Sequence, residues 1–112
     1  MVRIATKNEL LPGTLEMLIL QTLTRGAMHG YGIAQQIQEI SDEILQVEEG
    51  SLYPALQRLL VKGWVKAEWG KSENNRRARY YTLTRSGKKQ LGVEQENFRR
   101  IIAAIARVME PA

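Results

Sequence analysis

Leu52, Ala55, Leu56, Leu59 and Leu60 recur at steps of three and four, which gathers them on one face of a helix. Pro54, Gln57, Arg58 and Val61 fall on the opposite face, with Ser51, Tyr53 and Lys62 on the flanks. The pattern predicts a helix that starts at Ser51, whose hydroxyl suits an N-cap, and stops at Gly63. Pro54 is expected in its first turn, where a missing N–H costs little. Taken alone, its polar face fits solvated surface better than a surface that reads DNA, so the neighbouring elements must decide.

Upstream, Pro12-Gly13-Thr14 opens a helix, with Glu16 placed early where the helix dipole favours an anion. From Leu15 to Leu23 this segment is apolar nearly all round, as expected of a helix in the centre of a small domain. Residues 25–30 read as a turn marked by glycines, and His29 there as a side chain bonding nearby backbone. A second helix follows from Tyr31 to Ile40, with Ile33, Ile37, Ile40 and Ala34 inward and Gln35, Gln36 and Gln38 outward. Ile44 and Val47 are expected to close over the core from an irregular linker, and Glu48 and Glu49 to sit at the next helix start, favoured by its dipole.

After Gly63 the rhythm changes to period two. Residues 64–69 and 77–83 read as two strands joined by the polar turn 70–76, a β-hairpin. Its tip and return strand hold Lys71, Arg76, Arg77 and Arg79 against Glu73 alone. Trp64 and Trp69 could line a ligand pocket, but packing the core of the hairpin is the favoured expectation for both. Tyr80 and Tyr81 must face opposite sides of their strand, with one in the core. Thr84 then caps a last helix running to Met109, whose Leu91, Phe98, Ile101, Ile102, Ile105, Val108 and Met109 approximate a seam. Such a stripe needs a partner, and a second copy of the chain is the natural one.

The totals restrict the function classes. At 112 residues, 44% hydrophobic and 25% charged, the chain suits one domain with a modest core. No apolar run approaches the roughly 20 residues that cross a bilayer, and the first residues lack a secretion-signal core. Cys is absent, which suits a reducing cytoplasm and leaves no thiolate metal site. The single histidine has no second ligand for zinc and no serine tied to it, so neither a metal, a cofactor nor an enzyme is expected. A net charge of +4 points mildly toward an anionic partner.

The order helix, helix, helix, hairpin, helix describes a winged helix-turn-helix: mainly α with a small β-hairpin, followed by a C-terminal dimerisation helix. The expected divisions are an N-terminal arm over 1–11 carrying Arg3 and Lys7, a DNA-binding unit over 12–84 and the dimerisation helix over 85–112. Gln and Arg on the third helix can make paired contacts to adenine and guanine edges, and a basic hairpin can hold phosphates.

His29-Gly30-Tyr31-Gly32-Ile33, then Gly50-Ser51-Leu52-Tyr53-Pro54-Ala55-Leu56 with Leu59 and Gly63, then Arg79-Tyr80-Tyr81 with Leu83-Thr84 and Gly87, resemble the PadR family. The resemblance covers about 11–91 and implies a transcriptional regulator, usually a repressor, that binds a near-palindromic operator as a homodimer. Carried onto this chain, it implies recognition-helix contacts from Ser51, Tyr53, Pro54, Gln57 and Arg58, with Lys62 toward phosphate. On the wing it implies Lys71, Arg76, Arg77 and Arg79. Tyr31 either reaches a phosphate or supports the recognition helix by packing, the second being favoured. Relatives that bind drugs stack them on a tail-helix Trp, and this tail offers Phe98 alone; a smaller effector site would lie around Phe98, Leu15 and Met17. The alternative reading is a winged-helix protein-interaction module without DNA binding, against which the basic wing speaks.

Overall fold

The computed structural model describes residues 13–111, so the expected N-terminal arm lies outside the described residues. The elements run α1 (Thr14–Leu23), β1 (Met28–His29), α2 (Gly30–Ile40), α3 (Glu49–Val61), β2 (Val65–Lys71), β3 (Arg77–Leu83) and α4 (Arg85–Met109). As its all-round apolar pattern requires, α1 is central: it packs against α2, α3, α4 and β3. Ile19, Leu20, Ile33, Leu52, Leu56 and Leu59 form the fully buried heart of the core.

The segment expected to be only a turn contains a short strand. Met28 pairs with Tyr81 and His29 with Tyr80, which extends the hairpin into a three-stranded antiparallel sheet ordered β1-β3-β2. Two residues leave no readable period, which is why the pattern missed it. His29 also caps α2, its Nδ1 accepting a 3.0 Å bond from the Gly32 amide, as expected of a histidine bonding local backbone.

On α2, Ile33 and Ile37 are buried but Ile40 is 60% exposed, because the last turn runs past the edge of the core. Gln38 does not point simply outward: its Oε1 accepts a 3.0 Å bond from the Val47 amide and ties the linker down. Asp42 and Glu43 both adopt positive φ, which swings Ile44 into solvent and turns Leu45 and Val47 toward the core instead. The expectation for Val47 holds and that for Ile44 does not.

The third helix starts earlier than its pattern suggested. Glu48 is the N-cap and its carbonyl accepts from both Ser51 (3.0 Å) and Leu52 (2.8 Å), so Ser51 is a first-turn residue and not the cap. Pro54 accordingly falls in the second turn, where its ring removes the donor that would reach the Gly50 carbonyl. Leu52, Ala55, Leu56 and Leu59 are buried and Leu60 packs beside them, as expected. The chain leaves the helix through Gly63 at φ 75°.

Thr84 caps α4 as anticipated, accepting a 3.0 Å bond from the Gly87 amide while its hydroxyl donates to the Gly63 carbonyl at 2.8 Å. Gly87 sits where a β-carbon would overlap the Trp64 carbonyl oxygen. The tail helix is thereby anchored at its start against the entry to the hairpin. Leu91 is buried in its own chain's core, whereas the rest of the stripe beyond it is exposed. Leu91 therefore leaves the set of candidate interface residues.

Candidate nucleic-acid interface

Burying one face of α3 against α1 and α2 fixes which residues remain outside. Pro54, Gln57, Arg58 and Val61 are all exposed, Tyr53 is 47% exposed, and Ser51 and Lys62 flank the same surface. The Tyr53 ring closes against Gly30 at the start of α2, where any larger residue would crowd its ring and hydroxyl. Desolvation raises the Tyr53 hydroxyl above its ordinary pKa of 10.0, and the Glu49 carboxylate and Tyr81 add to the shift. It remains a neutral donor at physiological pH.

Arg58 and Lys62 are not free on this face. The Arg58 Nε donates to Glu16 Oε2 at 2.6 Å, and Lys62 Nζ lies 3.5 Å from Glu16 Oε1. Glu16 thus serves the third helix across the interhelical contact as well as lying in the first turn of its own. Its role was not legible from sequence, since no local spacing connects positions 16 and 58.

In the hairpin, β2 and β3 pair in register with Val65 opposite Leu83, Ala67 opposite Tyr81, Trp69 opposite Arg79 and Lys71 opposite Arg77. The core-facing row of Val65, Ala67, Tyr81 and Leu83 therefore continues outward, on the same face, as Trp69, Lys71, Arg77 and Arg79. Tyr81 is the core tyrosine, at 5% exposure, and Tyr80 faces the other way, its hydroxyl donating to the Lys71 carbonyl at 2.9 Å. Trp64 packs against the core, but Trp69 does not; it is 60% exposed and carries the Arg77 guanidinium 4.3 Å and the Arg79 guanidinium 6.0 Å from its ring centre. The expectation that both tryptophans pack the core is corrected for Trp69, which lies past the end of the core. Strand alternation alone contained that signal, because 69, 77 and 79 share a face once the turn is placed.

Between this outer face and the starts of α2 and α3 lies an open groove of about 620 Å³, with Tyr31, Gln35 and Tyr53 on one side and Trp69, Arg77 and Arg79 on the other. Arg76 also borders it. Tyr31 is 70% exposed, stacked loosely on His29 at 6.4 Å, and so does not support the recognition helix by packing. The groove joins aromatic faces, amide groups and guanidinium donors, the chemistry suited to a phosphodiester strand and its bases.

Of the residues expected around an effector, Leu15 and Met17 are packed into the core, while Phe98 is 42% exposed farther along the chain on α4. Among the described residues no cluster of His, Cys, Asp and Glu could hold a metal, and no helix is long and apolar enough to cross a membrane. Ile101, Ile102, Ile105, Val108 and Met109 are exposed along the distal half of α4, together with Phe98.

The architecture recurs among solved structures. A transcriptional regulator from Clostridium thermocellum superposes with a TM-score of 0.79 at 28% identity, covering 86% of this chain and 93% of its own. A PadR family transcription regulator from Clostridium difficile gives 0.75 at 30% identity, covering 88% and 100% respectively. An uncharacterised protein of Lysinibacillus sphaericus is 29% identical over 76% of this chain and 78% of its own. Residues 19–93, from the central helix to the first turns of α4, match the model of the PadR-like transcriptional regulators, and the chain belongs to that family.

Proposed function

We propose that this regulator is a repressor that binds a near-palindromic operator in double-stranded DNA as a homodimer. The observation that carries the reading is the exposed outer face of α3, with Pro54, Gln57 and Arg58, flanked by Tyr53, which lies across a groove from the cationic face of the hairpin. In this arrangement α3 enters a major groove, where Gln57 and Arg58 meet base edges and Ser51, Tyr53 and Lys62 meet the flanking backbone. Lys71, Arg76, Arg77 and Arg79 neutralise phosphates beside it. The second copy is held by the apolar stripe from Phe98 to Met109, and two recognition helices then address half-sites about one helical turn, roughly 10 bp, apart.

Release of the operator by a small hydrophobic effector would need a site other than one walled by Leu15 and Met17, since both are committed to the core. The reading is tested by gel shift with duplex DNA from upstream of the protein's own coding sequence, against a scrambled duplex of equal length. A sequence-dependent shift supports operator binding. Absence of a shift on both duplexes at low salt would favour the protein-interaction module instead.

A further inference from the structure

Glu16 is an anion placed beneath the face that is read here as meeting DNA, which is an electrostatic cost for any protein that binds a polyanion. Its side chain is 13% exposed, while that of Arg58 is 52% exposed and that of Lys62 is 45% exposed. The carboxylate is therefore the inner member of the trio and the cations the outer members. One oxygen takes the Arg58 Nε–H at 2.6 Å and the other faces Lys62 Nζ at 3.5 Å. Both ends of the carboxylate are occupied by cations, Arg58 in the last turn of α3 and Lys62 at its C-cap, one turn apart.

The atom used on Arg58 matters. A guanidinium has five N–H donors in a fixed fork, and engaging Nε leaves the terminal pair of nitrogens to present their donors outward. That terminal edge is the one that matches the O6 and N7 acceptors of guanine in the major groove. An unsupported arginine would lose several rotatable torsions on binding, whereas one already bonded through Nε has lost part of that freedom in the free protein. An unsupported arginine could also swing to the nearest phosphate, which carries no sequence information.

The geometry points to Glu16 as a positioning residue for sequence discrimination: it orients Arg58 toward base edges while also holding Lys62, at the expense of overall affinity for DNA. The inference rests on the proposed operator binding, and it deepens that reading by assigning the buttress to a residue on a different helix. Its signature is a divergence that loss of structure would not produce. Removing the carboxylate deletes a negative charge near the phosphates and frees two cations, so binding to arbitrary sequence strengthens. The advantage of the preferred sequence over arbitrary sequence shrinks at the same time.

The test begins by selecting duplexes from a randomised 30-bp pool with the wild-type protein, then measuring wild type, Glu16→Gln, Glu16→Ala, Arg58→Ala and Glu16→Ala/Arg58→Ala on the selected duplex and on its scrambled counterpart over a range of salt. Thermal melting of each variant is measured alongside. The ratio of specific to non-specific affinity is expected to fall about tenfold in Glu16→Ala, the scale of one bidentate base contact, and less in Glu16→Gln, which keeps a neutral acceptor. Affinity for the scrambled duplex is expected to rise with a steeper salt dependence. In the Arg58→Ala background, Glu16→Ala should leave the ratio unchanged. An unchanged ratio in both Glu16 single variants, or equal losses on both duplexes, overturns the role of Glu16 while leaving operator binding intact. Failure of the wild type to enrich any sequence overturns operator binding and this role with it.

Discussion

The guanidinium of Arg77 lies 4.3 Å above the indole of Trp69, its diagonal neighbour across the hairpin. Arg79, directly opposite Trp69, approaches the same ring at 6.0 Å, so one exposed aromatic side chain gathers two cations of the return strand. A guanidinium stacked on a ring keeps its N–H donors in the plane parallel to that ring, free for phosphate oxygens, while its position is fixed. Trp69 is thus read as part of the wing's contact surface.

Arg77→Ala should weaken binding to all duplexes alike and lower the slope of log affinity against log salt by about one. Trp69→Ala should cost less, about 0.5–1 kcal/mol for an exposed cation–π contact, and leave the salt slope nearly unchanged because no charge is removed. Titration of a fluorescently labelled duplex at several salt concentrations measures both. A change of sequence preference in Arg77→Ala, with affinity for scrambled DNA intact, would contradict the assignment of the wing to phosphates.

Gln57→Ala and Arg58→Ala should relax preference at particular base pairs, each with a loss of roughly 1–3 kcal/mol on the preferred duplex. Lys62→Ala should behave as a phosphate contact does, with an even loss across sequences. The distinction is measured by repeating the duplex selection with each variant and comparing the enriched positions. Of the two proposed readers, Arg58 is held by an ion pair to Glu16, so the effect of Gln57→Ala should be independent of that carboxylate.

Gly87→Ala should destabilise the fold without touching the residues proposed to meet DNA. A β-carbon there would overlap the Trp64 carbonyl and crowd a methyl group of Leu83, and the first of these is backbone that cannot rotate away. Overpacking of this kind costs about 1–3 kcal/mol. The melting temperature should fall, and the junction between hairpin and tail helix should loosen, read as faster amide exchange around Trp64, Thr84 and Gly87.

These relationships separate what local pattern can carry from what it cannot. The buried face of α3, the hairpin and the capped tail helix were all legible, because each depends on a period or a cap encoded within a few residues. Ile40 and Ile44 fit the period or the composition yet lie outside, because only the path of the backbone, with Asp42 and Glu43 at positive φ, decides where the core ends. The Glu16–Arg58 pair spans 42 positions and depends on how two helices pack, which no window along the chain contains. Leu91 fits the seam of α4 equally well as a monomer or a dimer residue, and packing against its own core decides the matter.

That division within α4 gives a sharp expectation about association. Leu91, at 6% exposure, and Ile102, at 47%, lie on the same helix but should respond to substitution in different ways. Leu91→Ala removes methyl groups from a filled core and should cost about 2–5 kcal/mol of stability in whatever state the protein occupies. Ile102→Glu or Ile105→Glu costs little in an isolated chain, where the site is solvated, but would bury an unpaired carboxylate if the stripe meets its own copy. Sedimentation should therefore find a dimer at micromolar concentration for the wild type and a folded monomer for either glutamate variant. The wild-type melting temperature should rise with protein concentration, and that dependence should vanish in the variants. Operator affinity should fall steeply in the monomer, because each half-site would then be bound without the other. A wild type that sediments as a monomer at these concentrations would remove the stripe from Phe98 to Met109 as a self-association surface, and the two-fold operator with it.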